Sequence, residues 1–176
     1  MATTEKSVMR TEVIFLEDRQ QRYLLRKEWD KTKKKAMVLI INPSYANKIL
    51  MDMTTLFVIN NLYRLAFGVA EIVNLFSTVD GNRSVKHEVA EALTANQEQL
   101  VASAEKVDVI IIAWGKAGEN SKSIQKRQQD FLELLKPYEE KLYTIGMHPL
   151  VPRIRAEWNL KKFSMEEVAE ISKIVM

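Results

Sequence analysis

The chain has no cysteine among its 176 residues. This excludes a disulfide framework, a thiolate zinc site and a cysteine nucleophile, and it fits a reducing cytoplasm. Histidine is nearly as scarce: His87 and His148 stand far apart, so a histidine-rich metal site is not expected. Glycine and proline number five and four, and no repeat, low-complexity tract or interdomain linker interrupts the sequence. No run is apolar enough to span a bilayer, and "MATTEKSVMRTE" lacks the apolar core of a secretory signal. There is no P-loop, no GxGxxG and no GxSxG, and "GKAGENSK" (115–122) lacks the GK[ST] ending of a phosphate loop. Neither charge sign dominates: 26 Lys and Arg against 23 Asp and Glu leave +3. That balance permits contact with nucleic acid without requiring it.

What is present is an ordinary globular composition, 47% hydrophobic and 28% charged, read as one domain over residues 1–176. "EVIFLE" and "RYLLRKEW" around "DRQQ" predict an N-terminal β-hairpin, with Trp29 packing where it meets the body. "DKTKKK" (30–35) reads as a solvated basic connector. Four apolar runs then read as buried strands: "AMVLII" (36–41), "VAEIVNLF" (69–76), "VDVIIIAW" (107–114) and "KLYTIG" (141–146).

Helical patterns separate them. The first has Leu56, Ile59, Tyr63, Ala66 and Phe67 as its apolar face and Gly68 as its terminal glycine. The second is capped by Ser84 and faces inward through Val85, Val89, Leu93, Leu100, Val101 and Ala104. The third carries Ile124, Phe131, Leu132 and Leu135 and stops before Pro137. In the tail, Ser164 and Glu167 have capping-box spacing ahead of Val168, Ile171 and Val175. The expected fold is a three-layer α/β/α sandwich with a four-stranded, mainly parallel central sheet plus the hairpin.

In such a sheet, ligands bind at the carboxyl ends of the strands, where the loops converge. The residues leaving the four strands are Asn42-Pro43-Ser44-Tyr45, Asn74-Leu75-Phe76-Ser77, Trp114-Gly115-Lys116 and Gly146-Met147-His148-Pro149. Each exit offers a side chain that can hydrogen-bond or stack; the opposite ends offer nothing comparable. Each also has a plain structural reading. Asn42 can close a turn through its amide, Trp114 can be core, Lys116 can be solvated and His148 can be a turn residue beside proline. A buried Asn74 needs partners, from protein or from ligand. Asp52, Asp80, Glu119 and the histidines could form an acid–base pair, but spacing does not join them. His87 lies on a polar helix face and is given no role.

Taken together, "INPS", "NLF", "AWGK" and "HPL" resemble the family called domain of unknown function 1643, whose N-terminal R/Y/L-R-x-W segment is matched by "RYLLRKEW". The resemblance reaches to about residue 152 and implies no activity. A more remote resemblance is to the uracil-DNA glycosylase superfamily. Asn42-Pro43 is similar to its first motif, whose polar residue orients the attacking water. Asn74 is similar to the asparagine that reads the pyrimidine edge. His148-Pro149 is similar to the last motif, whose histidine stabilises charge on the uracil oxygen. On that likeness Tyr45, Phe76 and Trp114 would stack on a base, and Ser44, Lys116, Arg153 and Arg155 would meet phosphates, with no metal and no cofactor.

Three departures accompany the likeness. Ile40 replaces the glycine two residues before Asn42, "HPLVPR" replaces the family's H-P-S-P-L-S, and no aspartate stands at the water-activating position. The resemblance therefore implies a glycosylase-like protein without ordinary uracil excision. Its partners would be DNA, a nucleobase, or a DNA-mimicking glycosylase-inhibitor protein. An active base-excision N-glycosylase of altered specificity is the alternative, and a nucleotide- or small-molecule-binding α/β domain is a third reading. The sequence sets no oligomeric state.

Overall fold

A computed structural model describes residues 1–79 and 88–166. The order is β1 (Arg10–Phe15), β2 (Arg22–Glu28), β3 (Lys34–Ile40), α1 (Met53–Arg64), β4 (Phe67–Asn74), α2 (Ala90–Lys106), β5 (Val109–Ile112), α3 (Lys122–Leu135), β6 (Leu142–Thr144) and β7 (Lys161–Lys162). Two 3₁₀ segments, Lys136–Lys141 and Pro152–Ile154, join the later elements. Among the described residues no helix is long and apolar enough to cross a membrane.

Across the sheet the strands run β1-β2-β4-β3-β5-β6-β7. The three central joins, β4–β3, β3–β5 and β5–β6, are parallel. The outer joins, β1–β2, β2–β4 and β6–β7, are antiparallel. The expected four-stranded sheet is thus corrected to a seven-stranded mixed one. The physical reason lies in the edges: bare β4 and β6 would each present a row of unpaired backbone groups. The hairpin closes the first row and the returning 161–162 segment part of the second.

Pleating sends successive side chains of β3 to opposite faces. Met37, Leu39 and Ile41 join a core with Leu100 and Ala104 of α2 and Ile124, Phe131 and Leu132 of α3. Ala36, Val38 and Ile40 join a second core with Val58 and Leu62 of α1. With helices on both faces and β2 on its edge, every residue of β4 is buried.

The third helical pattern stands as read, with Ile124, Phe131, Leu132 and Leu135 all buried. The first does not. Val58, Ile59 and Leu62 form the buried stripe of α1, whereas Leu56 and Tyr63 are exposed. Gly68 is not a helix terminus but a β4 residue, and the left-handed residue after α1 is Ala66, at φ 63°. A Cβ at Gly68 would sit 1.8 Å from the Asp30 carbonyl oxygen, so close packing of the 30–33 turn is what requires glycine there. Trp29 meets the body as expected, donating Nε1–H to the Phe67 carbonyl at 3.0 Å. Val89 is exposed at the start of α2. Ser84, Val85, His87, Glu167 and the tail stripe lie outside the described residues.

Candidate functional site

Because β3, β4, β5 and β6 are parallel, their carboxyl ends share one edge of the molecule. β2 runs against β4, so its first residues reach the same edge: the Arg22 amide donates to the Ser77 carbonyl at 2.8 Å, and Gln21 bridges to Thr78. Five chain segments therefore converge where four were expected.

Asn74 ends β4 opposite Ile40 of β3. Ala70 and Ile72 face α1, and the period of two puts Asn74 on that face as well. It is 0% exposed, and neither Oδ1 nor Nδ2 has a hydrogen-bond partner. Asn42 lies one pleat beyond Ile40, and both its amide atoms are also buried and unpartnered. A turn-closing asparagine would use its side-chain oxygen on nearby backbone; Asn42 does not. An unsatisfied buried amide group costs about 1–3 kcal/mol. Two such side chains at neighbouring strand ends are a large local penalty, which a ligand presenting donors and acceptors would remove.

The β5 and β6 exits touch. Gly115 adopts φ +61°, and a Cβ there would lie 2.9 Å from the His148 amide nitrogen and 3.3 Å from its Cβ. Glycine at 115 is therefore what admits the His148 loop. His148 Nδ1 accepts from the Leu150 amide at 3.2 Å, and the His148 carbonyl accepts from Val151 at 3.0 Å. An accepting Nδ1 puts the proton of the neutral ring on Nε2.

The remaining expected residues are dispersed. Phe76 is 1% exposed in the α2/α3 core, with the Arg127 guanidinium 4.7 Å from its ring centroid, so it offers no open face for a base. Trp114 is half-buried against that same core, on the face opposite Asn74. Tyr45 is 76% exposed beside the β3 exit. Lys116 is solvated and pairs with Glu119 at 3.7 Å. Ser44 hydrogen-bonds Asp52. Arg155 donates Nε–H to the Leu150 carbonyl at 2.7 Å and lies over the Phe57 ring, bracing the segment that follows His148. The Arg153 side chain lies outside what the structure describes. Among the described residues no cluster of three or more His, Asp or Glu side chains could hold a metal.

Sequence reasoning missed the supports beneath these exits. Arg22 and Lys27 of β2 are both 1% exposed. Arg22 donates to the Ser44 and Ala46 carbonyls at 3.2 and 2.6 Å, and Lys27 donates to Thr11 and the Lys48 carbonyl at 3.0 and 3.2 Å. Burial lowers the Arg22 guanidinium to about 10, although the Asp52 charge pulls it back up. Burial likewise lowers Lys27. For Asp52, burial pushes the carboxyl up, but hydrogen bonds from Ser44 and Thr55 and the Arg22 charge outweigh it and leave the group below its usual value. Nothing in "RYLLRKEW", where Arg22, Arg26, Lys27 and Glu28 are all charged, marks Arg22 and Lys27 as the buried ones.

The fold and this edge together define an α/β protein that gathers polar side chains at the carboxyl ends of its parallel strands. The chain belongs to the family described as "Protein of unknown function (DUF1643)", whose profile matches residues 22–150. That span runs from Arg22 to just beyond His148 and so contains Asn42, Asn74 and Gly115. No curated protein and no solved structure matches the chain.

Proposed function

We propose that the chain is a uracil-DNA-glycosylase-like protein that recognises a nucleobase through Asn74 and Asn42 and lacks ordinary uracil excision. The observation that carries this reading is Asn74: a wholly buried amide with donor and acceptor both unused, at a parallel strand's carboxyl end. A primary amide presents one acceptor and two donor hydrogens side by side, which complements the N–H and carbonyl edge of a pyrimidine. His148 leaves β6, two strands beyond the Asn42 exit, and would be the third polar group at this edge. The base would arrive as part of DNA, past exposed Tyr45 and Lys116, and a DNA-mimicking protein would use the same rim.

Two features favour binding over catalysis. The Asp52 and Glu88 carboxylates near this edge are engaged, Asp52 by Ser44 and Thr55 and Glu88 by Ser77 and Arg127. Ile40, where the resemblance has glycine, fills the α1 core with its side chain. The place of His148 at a strand-end loop packed on Gly115 favours a second reading, an N-glycosylase of altered specificity, in which its imidazole would stabilise an anionic base leaving the sugar. Titration of uracil, uridine and a uracil-containing single-stranded oligonucleotide, with a cleavage assay on the same oligonucleotide, separates the readings. Binding that is lost in Asn74→Leu, without cleavage, is expected. Cleavage lost in His148→Ala would favour the second, and no binding by any of the three would remove both.

A further inference from the structure

The β4 exit is held from the opposite face of the sheet by an unusual set of buried polar side chains. Ladder pairing between β2 and β4 stops at Leu25–Ile72 and the chains meet again only at Ser77 and Thr78, leaving residues 73–76 without that neighbour. Helices α2 and α3 fill the gap. Asn96, 0% exposed in the middle of α2, donates Nδ2–H to the Asn74 carbonyl at 2.9 Å and reaches the Leu75 carbonyl at 3.4 Å. Arg127 of α3, 4% exposed, donates to the Leu75 carbonyl at 2.9 Å and to Glu88 at 2.5 Å. Glu88 in turn accepts from the Ser77 amide at 2.9 Å and the Ser77 hydroxyl at 2.8 Å. On the remaining edge, the Leu75 and Phe76 amides donate to the Ile40 and Ile41 carbonyls.

Asparagine inside a helix and an ion pair inside a core are both costly choices where apolar residues would pack. Their shared target is the Leu75 carbonyl, one peptide beyond the Asn74 carbonyl that Asn96 also holds. We infer that Asn96 and Arg127 are positioning residues: acting through the Asn74 and Leu75 carbonyls, they fix the direction in which the Asn74 amide presents its donors and acceptor. A side chain rooted on so few bonds rotates with its peptide, and loss of either anchor lets the amide swing out of register with a bound edge.

This inference rests on the proposed reading of Asn74, and its test separates the two. The side-chain amide resonances of Asn74, assigned by their disappearance in Asn74→Leu, are followed in Asn96→Leu and Arg127→Lys together with uridine affinity and thermal stability. Expected are shifted or broadened Asn74 resonances in Asn96→Leu and an affinity loss of about tenfold, the scale of one hydrogen bond of ~1.4 kcal/mol. Arg127→Lys, which retains a cation for Glu88 and one donor, should fold and show the same change to a smaller degree. Unmoved Asn74 resonances in both folded variants would overturn the inference. Should Asn96→Leu fail to fold, Arg127→Lys alone decides by the same criterion. If wild-type protein binds no uridine, the proposed function falls, while the resonances still report whether the anchors orient the amide.

Discussion

At the scale of single residues, Asn74 sets function against stability. Its amide is buried without partners, so a leucine of similar volume removes unsatisfied polar groups without opening a cavity. Asn74→Leu should raise unfolding free energy by about 1–3 kcal/mol in denaturant titrations, while abolishing ligand binding. A fall in stability would mean that the amide has partners after all. Gly115 works in the other direction. Gly115→Ala forces a Cβ to 2.9 Å from the His148 amide at a left-handed φ, and should cost about 1–2 kcal/mol and displace the His148 ring resonances. The candidate trio of Asn42, Asn74 and His148 was legible because polar residues closing apolar runs stand out. Phe76 was misleading for the same reason: at a strand end, an aromatic looks like a stacking platform until Arg127 is seen lying over it.

At the scale of elements, the loop between β3 and α1 is built from its supports. Asp52 caps α1, accepting from the Thr55 amide at 2.8 Å, and also ties Ser44. Asp52→Ala should cost about 1 kcal/mol, the usual worth of an N-cap. Because the folded-state carboxyl lies below its ordinary value of 3.8, its contribution is present at neutral pH and lost as the pH falls through that folded value. Acid titrations of stability should therefore flatten between wild type and Asp52→Ala at the acid end. The buried Arg127–Glu88 pair makes a sharper case. Arg127→Met alone leaves Glu88 charged and buried, at a cost of about 3–5 kcal/mol, and Arg127→Met with Glu88→Gln should recover much of it in a double-mutant cycle. Additive losses would show that the two side chains do not act together. Periodicity puts Asn96 between Ala92 and Leu100 and Arg127 between Ile124 and Phe131, on the inward faces of their helices, but it does not show what they serve, since those carbonyls lie in a strand exit elsewhere in the sequence.

At the scale of the whole molecule, the four central strands and the hairpin were legible because runs buried on both faces are continuous and apolar. Their order was not, because periodicity says which residues are inside but not which strands are neighbours. Two-residue β7 carries exposed lysines and no strand signature; it exists because β6 has an edge to cover. The placement of β2 beside β4 is the decisive unread fact, since it brings Arg22 to the strand-end edge beside the loop that carries Asn42. On the proposed reading, this edge is a base-recognition site built on an amide kept unsatisfied for its ligand. The most direct test is calorimetric titration of uridine into wild-type protein and Asn74→Leu, with thermal melts of both. Saturable binding to the wild type, none to the variant, and a higher melting temperature for the variant are expected. Equal binding by both proteins, or a variant less stable than wild type, would contradict that reading.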